Sequence, residues 1–208
     1  MFALKIAAVL LLTAFLYWAA WEWPVLPFGF GSQVFQAIGF LLPLVSLAAM
    51  ANVVLTLVTC VKKRVPGRGA RRLGLSAAVV AGTAAGMWLG PMHKMHRVRQ
   101  VAASATPLIR AIQTFERDQG RPPQDLTELV PGYVPAIPST GMRGYSQWNY
   151  IRGTDARLYG ENTWVLVVHT GGPGFNFDQL MYFPNQRYPV FGHGGWIERL
   201  GAWAYVHE

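Results

Sequence analysis

The residues with the most pointed chemistry stand near the end of the chain, in the run Gly192-His193-Gly194-Gly195-Trp196-Ile197-Glu198-Arg199. Glycine lets a backbone come close to a ligand, an imidazole and a carboxylate can pair with polar groups, and an indole offers a contact wall. Just beyond, Trp203 and Tyr205 alternate with Ala202 and Ala204. That alternation suits a half-buried strand, and with its aromatic side outward the strand becomes a binding platform. His193, Trp196, Glu198, Trp203 and Tyr205 therefore make up the candidate interaction surface. A plain glycine-rich strand connection accounts for the first run more simply. The other downstream histidines, His169 and His207, and the acids Asp155, Glu161, Asp178 and Glu208 fall in no G-x-S-x-G or H-E-x-x-H pattern. No catalytic residue and no cofactor is assigned, and the expectation is a protein that is not an enzyme.

A second group, Met92-His93-Lys94-Met95-His96, places two His at i, i+3 beside two Met. Such soft ligands suit copper, but an interfacial helix turn uses the same side chains, and no further soft or acidic ligand lies nearby. No metal is assigned. The one cysteine, Cys60, sits inside an apolar block. It makes no intramolecular disulfide and reads as a small buried hydrophobe.

The elements that must carry these residues fall into two kinds. Of 208 residues, 52% are hydrophobic and only 13% charged, against about 25% charged in soluble domains. The formal charge of +8 is uneven: Met1 to Thr106 holds ten Lys/Arg against the single acid Glu22, while Pro107 onward holds eight Arg against nine Asp/Glu. The basic excess flanks apolar blocks, which is the footprint of membrane orientation and not of nucleic-acid binding.

Three transmembrane helices are predicted, over about 6–23, 34–61 and 73–92, forming an anchor of residues 1–92 in contact with a lipid bilayer. A cleaved signal peptide is the rival reading of the first. Bulky Leu16, Tyr17, Trp18 and Trp21 disfavour cleavage, and with Trp23 they suit an interfacial aromatic belt. In the second, Pro43 marks a kink or the start of the span. The third carries Ala78, Gly82, Gly86 and Gly90 at steps of four. These form a helix-packing ridge of minimal bulk, against a neighbouring helix of the chain or a second protein. Six Lys/Arg lie between the second and third helices and none between the first and second. That puts the N-terminus in the cytoplasm and the C-terminal domain outside. Lys94, Arg97 and Arg99, on the outer side, are the discordant charges, and lipid phosphates can pair with them.

In residues 93–208 the apolar positions Val98, Val101, Ala105, Leu108, Ile112 and Phe115 make one helical stripe. Pro107 predicts a kink or fresh start with Ser104 or Thr106 as N-cap, Gly120 a stop, and Asp125 the cap of a short helix over 126–130. Four strands are predicted, over 147–152, 163–169, 175–183 and 202–207, with Gly171-Gly172-Pro173-Gly174 as a hairpin connection. The fold class is α+β: a long amphipathic helix packed on an antiparallel sheet of about four strands.

The run Leu108-Ile109-x-x-Ile112-x-x-Phe115-x-x-Asp118-x-Gly120-Arg121-x-Pro123, then Leu126-x-x-Leu129-Val130-Pro131-x-Tyr133, resembles the head region of type II secretion pseudopilins. The likeness covers about Val98 to Tyr150 and implies a pilin-like domain. The family's leader pattern is absent, since Gly86-Met87 is followed by Pro91 and no acid, behind two other apolar blocks. Leader processing and filament assembly therefore do not carry over. Some members bind calcium near their C-terminal strands, and here Asn176, Asp178 and Asn185 are the comparable oxygen-rich group, more simply read as loop residues. The expected protein is a bacterial inner-membrane protein whose periplasmic domain docks a protein partner of the envelope or secretion apparatus. A membrane-anchored ligand sensor is the alternative, and it would need a signalling partner because the cytoplasmic loop is short.

Overall fold

Only a helix or a closed barrel satisfies every backbone group inside lipid, and the three apolar blocks are helical. A computed structural model describes residues 2–22, 32–63, 67–171, 177–188 and 195–208. Helix α1 spans Phe2–Glu22, α2 Ser32–Lys63 and α3 Gly67–Ser104, and all three are long and apolar enough to cross a membrane. Pro43 stands inside α2, not at its start. The third helix does not end at Met92 but runs on to Ser104, with Pro91 inside it. Proline removes one intrahelical hydrogen bond, and the bonds on either side carry the helix through. The chain divides into two units, the first ending at Lys94 and the second beginning at Met95.

In the first unit the small-residue ridge has a definite use. A Cβ on Gly82 would lie 2.0 Å from Thr13 Oγ1 and 2.5 Å from the Leu10 carbonyl oxygen, and one on Gly86 only 2.5 Å from Tyr17 Cβ. The ridge of α3 thus admits the backbone of α1 where any side chain would hold it off. Ala78 and Gly90 on the same ridge are buried as well. On α2, the Ser46 hydroxyl lies 2.7 Å from that of Thr83 on α3. The outer surface is apolar: Leu11, Leu12, Phe15, Leu44, Leu47 and Trp88 are each more than half exposed, as lipid-facing residues are.

The second unit starts from a nearly continuous helix. α4, Thr106–Gln119, begins one residue after α3 with Pro107 in its first turn. The N-cap is Ala105, not Ser104 or Thr106, and no side chain caps it. The reason lies in the backbone: Ala105 N–H donates to the Val101 carbonyl (3.2 Å) and Ile109 N–H to that of Ala105 (2.9 Å), while Pro107 has no N–H to satisfy. Ser104 Oγ turns back to the Val101 carbonyl at 2.8 Å. Gly120, at φ 66°, closes α4 in the left-handed conformation that glycine adopts freely. Asp125 then caps a short 3-10 turn, Leu126–Leu129, by accepting from Thr127 N–H at 2.8 Å.

The sheet has five strands, one more than the four expected: β1 Asn149–Arg152, β2 Trp164–His169, β3 Gln179–Tyr182, β4 Trp196–Leu200 and β5 Trp203–His207. All pair antiparallel in the order β1-β2-β3-β5-β4. The unexpected strand is β4, which lies at the edge. Its charged Glu198 and Arg199 obscure any apolar pattern, and such charges are usual on edges because they discourage further pairing. On one face, α4 buries Leu108, Ile109, Ala111, Ile112 and Phe115, and its Glu116 and Gln113 reach Trp164 and Tyr182. On the other face Val165, Val167, Met181, Phe183 and Val206 pack with Ala156 of a one-turn helix, α5 Thr154–Arg157. Both faces are covered, so β5 is buried from Trp203 to Val206 and not half-buried as its alternation suggested.

Leucine at Gly82 or Gly86 must push α1 and α3 apart and is expected to cost about 1–3 kcal/mol, the usual penalty of overpacking. The loss reads out as a lower melting temperature of the detergent-solubilised full chain. Gly132→Ala, where a Cβ meets nothing within 4 Å, should leave the melting temperature unchanged.

Candidate functional site

Pairing of β4 with β5 sets Trp196 opposite His207 and Glu198 opposite Tyr205. Directly paired and diagonal residues of one sheet face lie within side-chain reach, and this register gathers a cluster. The His207 ring stacks flat on Trp196, with centroids 3.6 Å apart and planes 10° from parallel, and meets Tyr205 edge-on at 4.6 Å. His207 Nε2 lies 3.2 Å from Glu198 Oε2. Trp196 remains 62% exposed, so the outer side of the stack is open to a partner. Gly195 lets the chain enter β4 here, since a Cβ would collide with the His207 carbonyl.

Beneath the cluster is a buried polar network. Tyr205 OH donates to Asp178 Oδ2 at 2.6 Å, and the Glu208 N–H donates to Asp178 Oδ1 at 2.9 Å. The Thr170 hydroxyl lies 3.1 Å from the Asp178 carbonyl oxygen and 3.2 Å from Tyr205 OH. Burial, then the hydrogen bond and charge of Asp178, push the Tyr205 phenol well above its ordinary range. Glu198 is thus the carboxylate that orients the His207 imidazole. The result is a flat, exposed aromatic surface beside a carboxylate and an imidazole.

Of the five expected surface residues, Trp196 and Glu198 belong to this cluster. Trp203 and Tyr205 do not present a surface, being only 5% and 1% exposed. Central position in the sheet buries them, and Trp203 packs between Trp148 and Tyr182 at 5.9 and 5.3 Å. His193 lies outside the described residues, as do Trp23, residues 172–174, Asn176 and the side chain of Cys60. The residue that sequence reasoning passed over is His207. Its signal was the i, i+2, i+4 series Trp203, Tyr205, His207, which places all three on one face of a strand.

Neither metal hypothesis gains a ligand set. His93 meets Trp18 edge-on at 5.8 Å, and His96 Nε2 lies 3.1 Å from Gln100. Both Asp178 carboxylate oxygens accept hydrogen bonds within the network. Asn185 is engaged elsewhere, with its Nδ2 donating to the Gly160 carbonyl at 2.6 Å and its Oδ1 accepting from Arg187 N–H at 2.9 Å. Among the described residues no group of three or more His, Cys, Asp or Glu could hold a metal ion. A separate groove of about 270 Å³ opens where β2 runs past the end of β1, lined by Tyr145, Ser146, Gln147, Asn149, Val167 and His169. No known protein family, curated protein or solved structure matches the chain.

Tyr205→Phe removes a donor from the buried Asp178 and is expected to lower stability by about 1–3 kcal/mol. Because the folded-state phenol is held above the ordinary 10.0, its contribution is complete below pH 10 and is lost as pH rises further: the unfolded chain gives up the proton first. Melting temperatures of the full chain between pH 8 and 11 should fall above pH 10, and fall less steeply in the Phe variant. Tyr150, Tyr182 and Tyr188, raised mainly by burial, maintain part of that slope in the variant.

Proposed function

We propose that the chain is an integral membrane protein that presents a pilin-like α+β domain outside the cytoplasm, in the periplasm of a bacterial cell, as a non-enzymatic docking module for a protein partner. The observation that carries this reading is the exposed Trp196, stacked on His207 beside Glu198 at the sheet edge, in a chain with three membrane-capable helices. A large, half-rigid aromatic with flanking polar groups is the side-chain type that anchors protein interfaces. Orientation rests on the positive-inside rule, since the six Lys/Arg from Lys62 to Arg72, at the end of α2, the start of α3 and between them, favour the cytoplasmic side. The pilin-like designation rests on the motif from Leu108 to Tyr133 and on a helix lying against an antiparallel sheet. A membrane-anchored ligand sensor is the second reading, favoured by the groove beside His169 and Tyr145.

A reporter active only in the cytoplasm, fused after Glu208, should be silent, and the same reporter placed within the loop between α2 and α3 should be active. The reverse pattern overturns the topology. Trp196→Ala should leave the melting temperature of the full chain within about 1 °C, because an exposed surface residue contributes little to stability. It should also lower recovery of the co-purifying partner about tenfold or more, as loss of an interface anchor does. A small molecule that raises the melting temperature, with no stable protein partner recovered, supports the sensor reading instead.

A further inference from the structure

Polar side chains inside an apolar helix are costly unless hydrogen-bonded, and the hydroxyls of Thr13, Ser46, Thr59 and Thr83 find partners within the chain. Thr13 Oγ1 lies 2.9 Å from the Val9 carbonyl and 3.0 Å from that of Leu10. Ser46 reaches the Leu42 carbonyl and Thr83, and Thr59 Oγ1 donates to the Thr56 carbonyl at 2.9 Å. Such back-bonding is open to a hydroxyl because it carries one proton on a short arm.

Asn52 is different. It lies within the apolar stretch Phe40–Thr59 of α2, with its side chain exposed. Its Oδ1 accepts from Thr56 Oγ1 at 3.3 Å, and its two Nδ2 protons have no acceptor among the described residues. At about 1.5 Å of rise per residue, Asn52 sits roughly 4 Å from the middle of that stretch, too deep for so short a side chain to reach water. Moving an unpaired amide from water into alkane costs about 4–8 kcal/mol.

We infer that α2 is a self-association surface, on which two copies of the chain pair through reciprocal hydrogen bonds between their Asn52 amides. The inference rests on the reading of α2 as a membrane-spanning helix. A second copy is the fitting partner because an amide holds both donors and an acceptor and so complements itself. Copies inserted in one orientation bring Asn52 to the same depth, and a twofold axis along the membrane normal lets each amide satisfy the other. Four residues earlier, Ala48 is also exposed, and its small side chain permits the close approach such a bond needs.

The test uses donor- and acceptor-labelled full chain in phosphatidylcholine–phosphatidylglycerol liposomes, with energy transfer followed as protein is diluted into lipid. Association is expected for the native chain. Asn52→Leu should weaken it about tenfold, in line with about 1–2 kcal/mol for an interhelical polar contact, without lowering the melting temperature. Asn52→Gln should retain it. A native chain that stays monomeric at every dilution, or a Leu variant that associates as tightly, overturns the inference. Alkaline carbonate extraction of the same liposomes separates the causes: retention with no dependence on Asn52 sinks only the self-association, whereas release of the chain sinks the membrane-spanning reading and this inference with it.

Discussion

A fully buried indole must find an acceptor for its N–H, and Trp164 finds it in Glu116 at 3.1 Å. Much of the second unit depends on that one contact. It ties the last turns of α4 to the first residue of β2, and the neighbouring Thr163 hydroxyl shares the same carboxylate. From Trp164 the aromatic packing spreads across the sheet: Tyr182 stacks on it at 5.7 Å, Trp203 meets Tyr182 at 5.3 Å, and Trp148 closes the row. With no disulfide available to this chain's single cysteine, area buried by large rings is what holds the sheet to the helix.

The two units solve the problem of polar groups in opposite ways. In the membrane-capable helices close approach is bought by deleting side chains, as at Gly82 and Gly86, and hydroxyls bond mostly to carbonyls of their own helix, with Ser46 and Thr83 meeting across two helices. In the sheet unit, polar groups are paired across long stretches of sequence, as Asp178 is with Tyr205 and the C-terminal Glu208. Helices long and apolar enough to cross a membrane would meet no hydrophobic drive between them in lipid, where contact geometry dominates. In the sheet unit the burial of Trp164, Tyr205 and Phe183 supplies the drive and the network decides which arrangement it selects.

Strands whose residues announce themselves are legible along the chain, and the edge strand β4 is not. β2 and β5 are runs of β-branched and aromatic residues between turn formers, and both lie where expected. β4 reads along the chain as a glycine-rich connection, since Gly192, Gly194 and Gly195 lead into it and Trp196-Ile197-Glu198-Arg199-Leu200 mixes charge with apolar residues, as an edge strand tolerates. The candidate site suffered the reverse error. The alternation of Trp203 and Tyr205 with alanines leaves open an outward aromatic face, yet strand order sends both to a strand paired on each side and leaves Trp196 at the rim.

The sequence alone determined what local chemistry controls: three apolar helices with a basic loop, the stop at Gly120, the cap at Asp125 and the α+β class. These depend on spacing, side-chain type and the conformational freedom of glycine, all readable along the chain. Only the tertiary structure decided that β5 is covered on both faces, that the ridge of α3 meets α1, and that His207 stands between Trp196 and Glu198. Those facts depend on pairing register between residues distant in sequence, and register is set by the whole sheet and its covering layers, not by any one segment.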